Sequence, residues 1–268
     1  MRTILTLLLF VPLVGFGQYW QQQGQDINGE ASGDRSGWSV SMNDAGDRVA
    51  IGAPYNDGNG SSPGHVRIYD WNGTSWTQQG QDIDGEAFDD QSGYSVSINA
   101  AGDRVAIGAP KNDGSGPTAG HVRVYEWDGS TWAKLGQDID GEASNVSGPQ
   151  VGDYSGWSVS INASGDKVVI GAPWNVPSNG GTCGHVRVYS WDGSSWVQQG
   201  QDIDGESAGV KFGWSVSMNS AGDKFAVGAP LEYGTAHQSG YVRIYEWNGS
   251  SWALDQNING QAVDERSG

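Results

Sequence analysis

Carboxylates alternate at Asp82, Asp84 and Glu86 along the stretch DIDGEA, with Asp89 and Asp90 close behind. Oxygens spaced this way could converge on Ca2+, which takes six to eight of them. The same acids suit a solvated sheet edge that repels pairing with another sheet, and that reading is the stronger. The loop NDAGD at residues 43–47 recurs as NAAGD, NASGD and NSAGD. It offers too few oxygens for Ca2+ and is expected to be a plain hairpin turn. Three histidines, His65, His121 and His185, occupy equivalent places, with Tyr241 at the fourth. One per repeat, they stand too far apart to share a metal and are expected to pack and hydrogen-bond between repeats. Cys183 is the only cysteine, which rules out an internal disulfide.

These positions are copies because the chain repeats itself. GDRVAIGAP occurs at Gly46 and again at Gly102, then as GDKVVIGAP at Gly165 and GDKFAVGAP at Gly222. Around it recur GWSVS from Gly37, GHVRIY from Gly64, WNGTSW from Trp71 and QDIDG from Gln81. A period of about 60 residues belongs to solenoids and propellers. Each unit reads as four strands, residues 38–42, 48–53, 65–71 and 76–83 in the first, here termed A to D. Strand A alternates large apolar with small polar residues. Pro54 ends strand B, because it has no N–H for a ladder. Asn72-Gly73 marks a tight turn between C and D.

A four-stranded sheet cannot bury both faces alone, so units of this kind pack on one another. The expected fold class is all-β, a β-propeller of four complete blades at about residues 37–83, 93–139, 156–203 and 213–258. Strand A, with Ser39 and Ser41, suits the crowded axis, and the Trp and Tyr residues of C and D suit the wider rim. Residues 18–36 and 252–268 repeat the joining segment at both ends. The expectation is therefore a fragment of a larger ring. If each bare end face exposes on the order of 500 Å² of apolar surface, the lost burial is about 12 kcal/mol per face. That rivals the net stability of a whole domain.

The ordered motifs GWSVS, GDRVAIGAP and GHVRIY resemble the FG-GAP repeat, the blade unit of the integrin α-chain propeller and of many secreted bacterial proteins. The resemblance covers residues 18–268. The family's Phe-Gly occurs as letters once, at Phe212-Gly213, and Ser precedes the glycine elsewhere. The resemblance implies a seven-bladed ring and an extracellular setting. Residues 1–17 add to this: Arg2 precedes an apolar run from Ile4 to Phe16 that is too short to span a bilayer, the pattern of a secretion signal.

The A–B and C–D turns keep one length, whereas the B–C and D–A loops vary and emerge on the other side of each blade. Variable loops on a rigid scaffold are where binding usually resides. Trp174, Tyr233 and Tyr55 on that side are the expected ligand contacts. The partner is expected to be an extracellular protein, bound in adhesion, with a glycan stacked on Trp as the alternative. A net charge of −17 excludes nucleic acid. No Ser-His-Asp set stands outside the repeats. Around Ser190 the SWDGSSW stretch departs from the sialidase Asp-box spacing. The expectation from these residues is no enzyme and no certain cofactor.

Overall fold

The computed structural model describes residues 21–58, 62–142, 152–176, 181–231, 239–261 and 266–268. Residues 1–17, read above as a secretion signal, lie outside that set, as does Tyr233. Four antiparallel sheets follow one another. The first holds β1 (Ser39–Met42), β2 (Arg48–Ala53), β3 (His65–Trp71), β4 (Trp76–Gln78) and β5 (Ile83–Asp84). The second holds β6 (Ser95–Ile98), β7 (Arg104–Ala109), β8 (His121–Trp127), β9 (Trp132–Lys134) and β10 (Ile139–Asp140). The third holds β11 (Ser158–Ile161), β12 (Lys167–Ala172), β13 (His185–Trp191), β14 (Trp196–Gln198) and β15 (Ile203–Asp204). The fourth holds β16 (Ser215–Met218), β17 (Lys224–Ala229), β18 (Tyr241–Trp247) and β19 (Trp252–Asn259).

The sheets are the blades of a β-propeller, and they meet face to face. Ala50, Val66, Ile68 and Ile83 of the first blade pack on Val96, Ile98, Val105, Ile107 and Trp132 of the second. The same face pair joins the second blade to the third and the third to the fourth. Burying apolar side chains from both sheets is the main stabilising term. At the axis the seam is polar and repeated. The Ile98 N–H donates to Ser41 Oγ, that of Ile161 to Ser97 Oγ, and that of Met218 to Ser160 Oγ. Ser39 Oγ donates to the Gly93 carbonyl of the next blade. A Cβ on Gly52 would lie 2.0 Å from that carbonyl oxygen, so the glycine of GAP is required by the approach of two backbones.

On one side of the blades the A–B turns are tied in series. The N–H of Asp44 donates to the Ala100 carbonyl, that of Ala100 to Ala163, and that of Ala163 to Ser220. Within each turn the Asn side chain faces inward: Asn43 Oδ1 accepts from the N–H groups of Asp47 and Arg48. This is the plain hairpin turn expected.

Strand D departs from expectation. The sequence predicts one strand over residues 76–83, but in three blades there are two short strands with a break between them. The reason is the next blade. Gly80, at φ 74°, brings its backbone against the rings of Trp127 and Trp132. Trp132 Nε1 donates to the Gln79 carbonyl, and Gln81 Nε2 donates to the Trp132 carbonyl. The backbone leaves its own sheet to bond the neighbour. The fourth repeat reads LDQNING where the others read QQGQDIDG or LGQDIDG, and it lacks that glycine. There β19 runs unbroken for eight residues along β18.

Candidate functional site

The B–C and D–A loops share the side of the blades opposite the tied turns. Asn56 of the first B–C loop donates from Nδ2 to Asp34 of the D–A loop, and Asn112 donates likewise to Asp90. Asp34 also accepts the Ala31 N–H, and Asp90 the Ala87 N–H. In the third blade Asp153 accepts the Glu142 N–H and faces Asn175. Burial pushes the Asp153 carboxyl up to about 6, against the pull of those two hydrogen bonds. The fourth blade has Val210 at this place.

The residue after each of these positions is left-handed without being glycine. Arg35, Gln91, Tyr154 and Lys211 have φ of 54°, 58°, 54° and 61°. Such a backbone costs on the order of 1 kcal/mol or more and persists where its surroundings hold it. Here the carbonyl of each accepts the N–H of the aromatic residue three positions on, Trp38, Tyr94, Trp157 or Trp214. The turn thereby delivers one aromatic ring per blade to the loop face.

These rings touch in sequence. Trp38 and Tyr94 have centroids 5.4 Å apart, Tyr94 and Trp157 4.6 Å, and Trp157 and Trp214 4.9 Å. Tyr55 joins at Trp38, and Trp174 lies against both Trp157 and Trp214. Tyr154 tilts onto Trp174. The result is an aromatic arc that crosses all four blades. Its ends are the most open, with Trp38 45% and Trp214 38% exposed. Burial, and then neighbouring Tyr55, pushes the Tyr94 hydroxyl up to about 12. The left-handed residues lay cations on the arc. Arg35 sits over the rings of Trp38 and Tyr55, and Lys211 sits 4.4 Å from the centre of Trp174.

Of the expected ligand contacts, Tyr55 and Trp174 stand in this arc, and Tyr233 lies outside the described residues. Trp38, Tyr94, Trp157 and Trp214 are not among the expected contacts, because the alternation of strand A takes in Trp38 and its copies as its first residues. The signal was present: an aromatic residue follows the glycine at positions 37, 93, 156 and 213.

The acids Asp82, Asp84 and Glu86 do not converge. Asp82 lies with Glu30 and His65, Glu86 with His121 and Asp138, and Asp84 in neither group. A third group is Glu142, His185 and Asp202. The second and third groups sit at blade joints and the first lies between the opening segment and the first blade; in each, Glu from the preceding D–A segment meets His on strand C and Asp ahead of β5, β10 or β15. An arginine two residues after each His reaches in. Arg67 pairs with Glu30, Arg123 with Glu86 and Asp138, and Arg187 with Glu142 and Asp202. Asp138 is held at about 2, its burial outweighed by the hydrogen bonds and charges of Arg123 and Lys134. Burial lowers the pKa of all three histidines. The three histidines are buried, one per blade.

Residues 28–69 match the FG-GAP repeat family. No curated protein sequence matches the chain. Among solved structures, the periplasmic gluconolactonase PpgL of Pseudomonas aeruginosa aligns at TM-score 0.56 and 15% identity, over 84% of this chain and 57% of that one. A putative 6-phosphogluconolactonase from Bacteroides uniformis aligns at 0.55 and 12%, over 86% and 59%. Hydrazine synthase of Kuenenia stuttgartiensis aligns at 0.53 and 12%, over 90% and 53%. The chain thus spans a little over half the length of these neighbours. At such identity the likeness shows the fold. It also corrects the expectation of no enzyme. Two of these propellers carry lactonase names, so repeat-bound residues and the absence of a Ser-His-Asp set do not exclude catalysis on this scaffold.

Proposed function

We propose that this β-propeller, which carries an FG-GAP repeat, is a recognition module whose loop face binds an extracellular protein through the aromatic arc. The observation that carries the reading is the unbroken run of rings from Tyr55 and Trp38 through Tyr94 and Trp157 to Trp174 and Trp214. Interfaces concentrate their energy in clustered aromatic and Arg residues. FG-GAP repeats are a type typical of extracellular domains, and no helix among the described residues is long and apolar enough to cross a membrane.

The geometry favours a protein over a sugar. These rings tilt on one another, and Arg35 and Lys211 lie over ring faces on which a sugar would stack. Neither cation joins an ion pair among the described residues, in a chain of net charge −17. The partner that fits is a peptide segment with acidic groups between apolar side chains. Acidic and neutral peptide arrays probed beside a glycan array test this. The reading expects acidic peptides to bind, with at least tenfold weakening by Trp38→Ala or Lys211→Ala and by added salt. Glycan binding that survives Lys211→Ala would overturn it in favour of the sugar.

A further inference from the structure

We infer that Glu30, His65 and Asp82 form a binding site for a divalent transition-metal cation, with zinc as the fitting case. The site is built around an unused nitrogen. The His65 side chain is 2% exposed, and its Nδ1 stands 3.9 Å from Glu30 Oε2 and 3.9 Å from Asp82 Oδ2. Both distances exceed hydrogen-bond length, so a buried ring faces two carboxylate oxygens and bonds neither. Two metal–ligand bonds of about 2.1 Å each span that separation at a wide angle. All three ligand atoms lie within 4.8 Å of one another, and Glu30, the most exposed of the three, can move to close the set.

Asp82 keeps its other oxygen occupied, Oδ1 accepting from Gln78 Nε2, and Glu30 pairs with Arg67 through Oε1 while Oε2 accepts from Asn56 Nδ2 at 3.4 Å. Metal-ligating side chains are commonly fixed by such outer partners. The charge balance also asks for a cation. Glu30, Asp82 and Asp84 face the ring, and the cation that faces them is Arg67, which bonds the Asn28 carbonyl and pairs with Glu30 but not with Asp82.

In the fourth repeat Tyr241 replaces the His and Asn257 and Asn259 replace both Asp, while the Glu206–Arg243 pair remains, so that repeat lacks the ligand set. The second and third groups should bind more weakly, because one guanidinium there grips both carboxylates.

The test is calorimetric titration of Zn2+ into the chelator-treated full chain, with Co2+ absorption as a second readout of ligation. One tight equivalent is expected. It should be lost in His65→Gln, weakened at least tenfold in Asp82→Asn, and kept in His121→Gln. Melting of each variant without metal separates loss of the site from loss of the fold, and the partly exposed Asp82 gives a variant that should melt as wild type. No tight Zn2+ binding, or tight binding unchanged in both His65→Gln and Asp82→Asn, overturns the site. Peptide binding by the aromatic arc is measured separately and stands or falls on its own.

Discussion

Val40 and Val96 are the same residue at the same place in the repeat, yet Val40 is 63% exposed and Val96 8%. The following apolar residues differ likewise: Met42 is 53% exposed and Ile98 6%. The blade before β6 exists, and no described blade precedes β1. The opposite face repeats the lesson at the other end. Ile83 is buried in the first joint, whereas Ile258 at the equivalent register of β19 is exposed. Burial in this molecule is a property of the joint between sheets, and each sheet's own sequence supplies only half of it.

Polar replacements should make that contrast sharpest. Val96→Asp puts a carboxylate into the first joint and should cost more than about 3 kcal/mol, or abolish folding. Val40→Asp should change stability by under about 0.5 kcal/mol. Urea melts of the two variants measure the difference, and equal losses would break the comparison.

The next largest effect separates two loop anchors. Asp153 is raised from 3.8 to about 6, whereas Val210 holds the same place in the fourth blade. A carboxyl whose folded pKa is raised binds its proton more tightly in the native state. Its contribution is fully present below about pH 4 and is lost as pH rises through 6. The shift corresponds to about 3 kcal/mol by pH 7 as an upper figure. Asp153→Asn should therefore flatten the fall in stability between pH 4 and 7, read from melts across that range. An unchanged pH profile would remove Asp153 as its cause.

Glycines at and away from a joint differ by less. A Cβ on Gly80 would meet Trp127 at 2.7 Å, and one on Gly73 would meet nothing within 4 Å, although both have positive φ. Gly80→Ala should cost about 2 kcal/mol or more and Gly73→Ala about 1 kcal/mol. Trp132→Phe removes the donor to the Gln79 carbonyl together with part of a buried ring, so its cost should exceed the about 1 kcal/mol of one hydrogen bond, read from the same melts.

Much of this architecture was legible in the repeats. Strands β2 and β3 fall where the sequence placed them, because Pro54 and Asn72-Gly73 punctuate them locally. Strand D did not, because its break at Gly80 is caused by two tryptophans in another blade. The aromatic arc was half visible. Tyr55 and Trp174 stood out as loop residues, whereas Trp38 and its copies looked like strand residues until the left-handed turn before them was seen. The Glu–His–Asp groups were hidden for a related reason. Asp82 and Glu86 are neighbours in the chain but serve successive groups, and each finds its partners in a different repeat.

Amide hydrogen exchange at two equivalent positions tests the central claim most directly. The Ile98 N–H donates to Ser41 Oγ across the first joint, and the Met42 N–H has the same place in the blade that lacks a described predecessor. The joint account predicts markedly slower exchange in the Ser95–Ile98 strand than in the Ser39–Met42 strand. Equal protection of the two strands would contradict it.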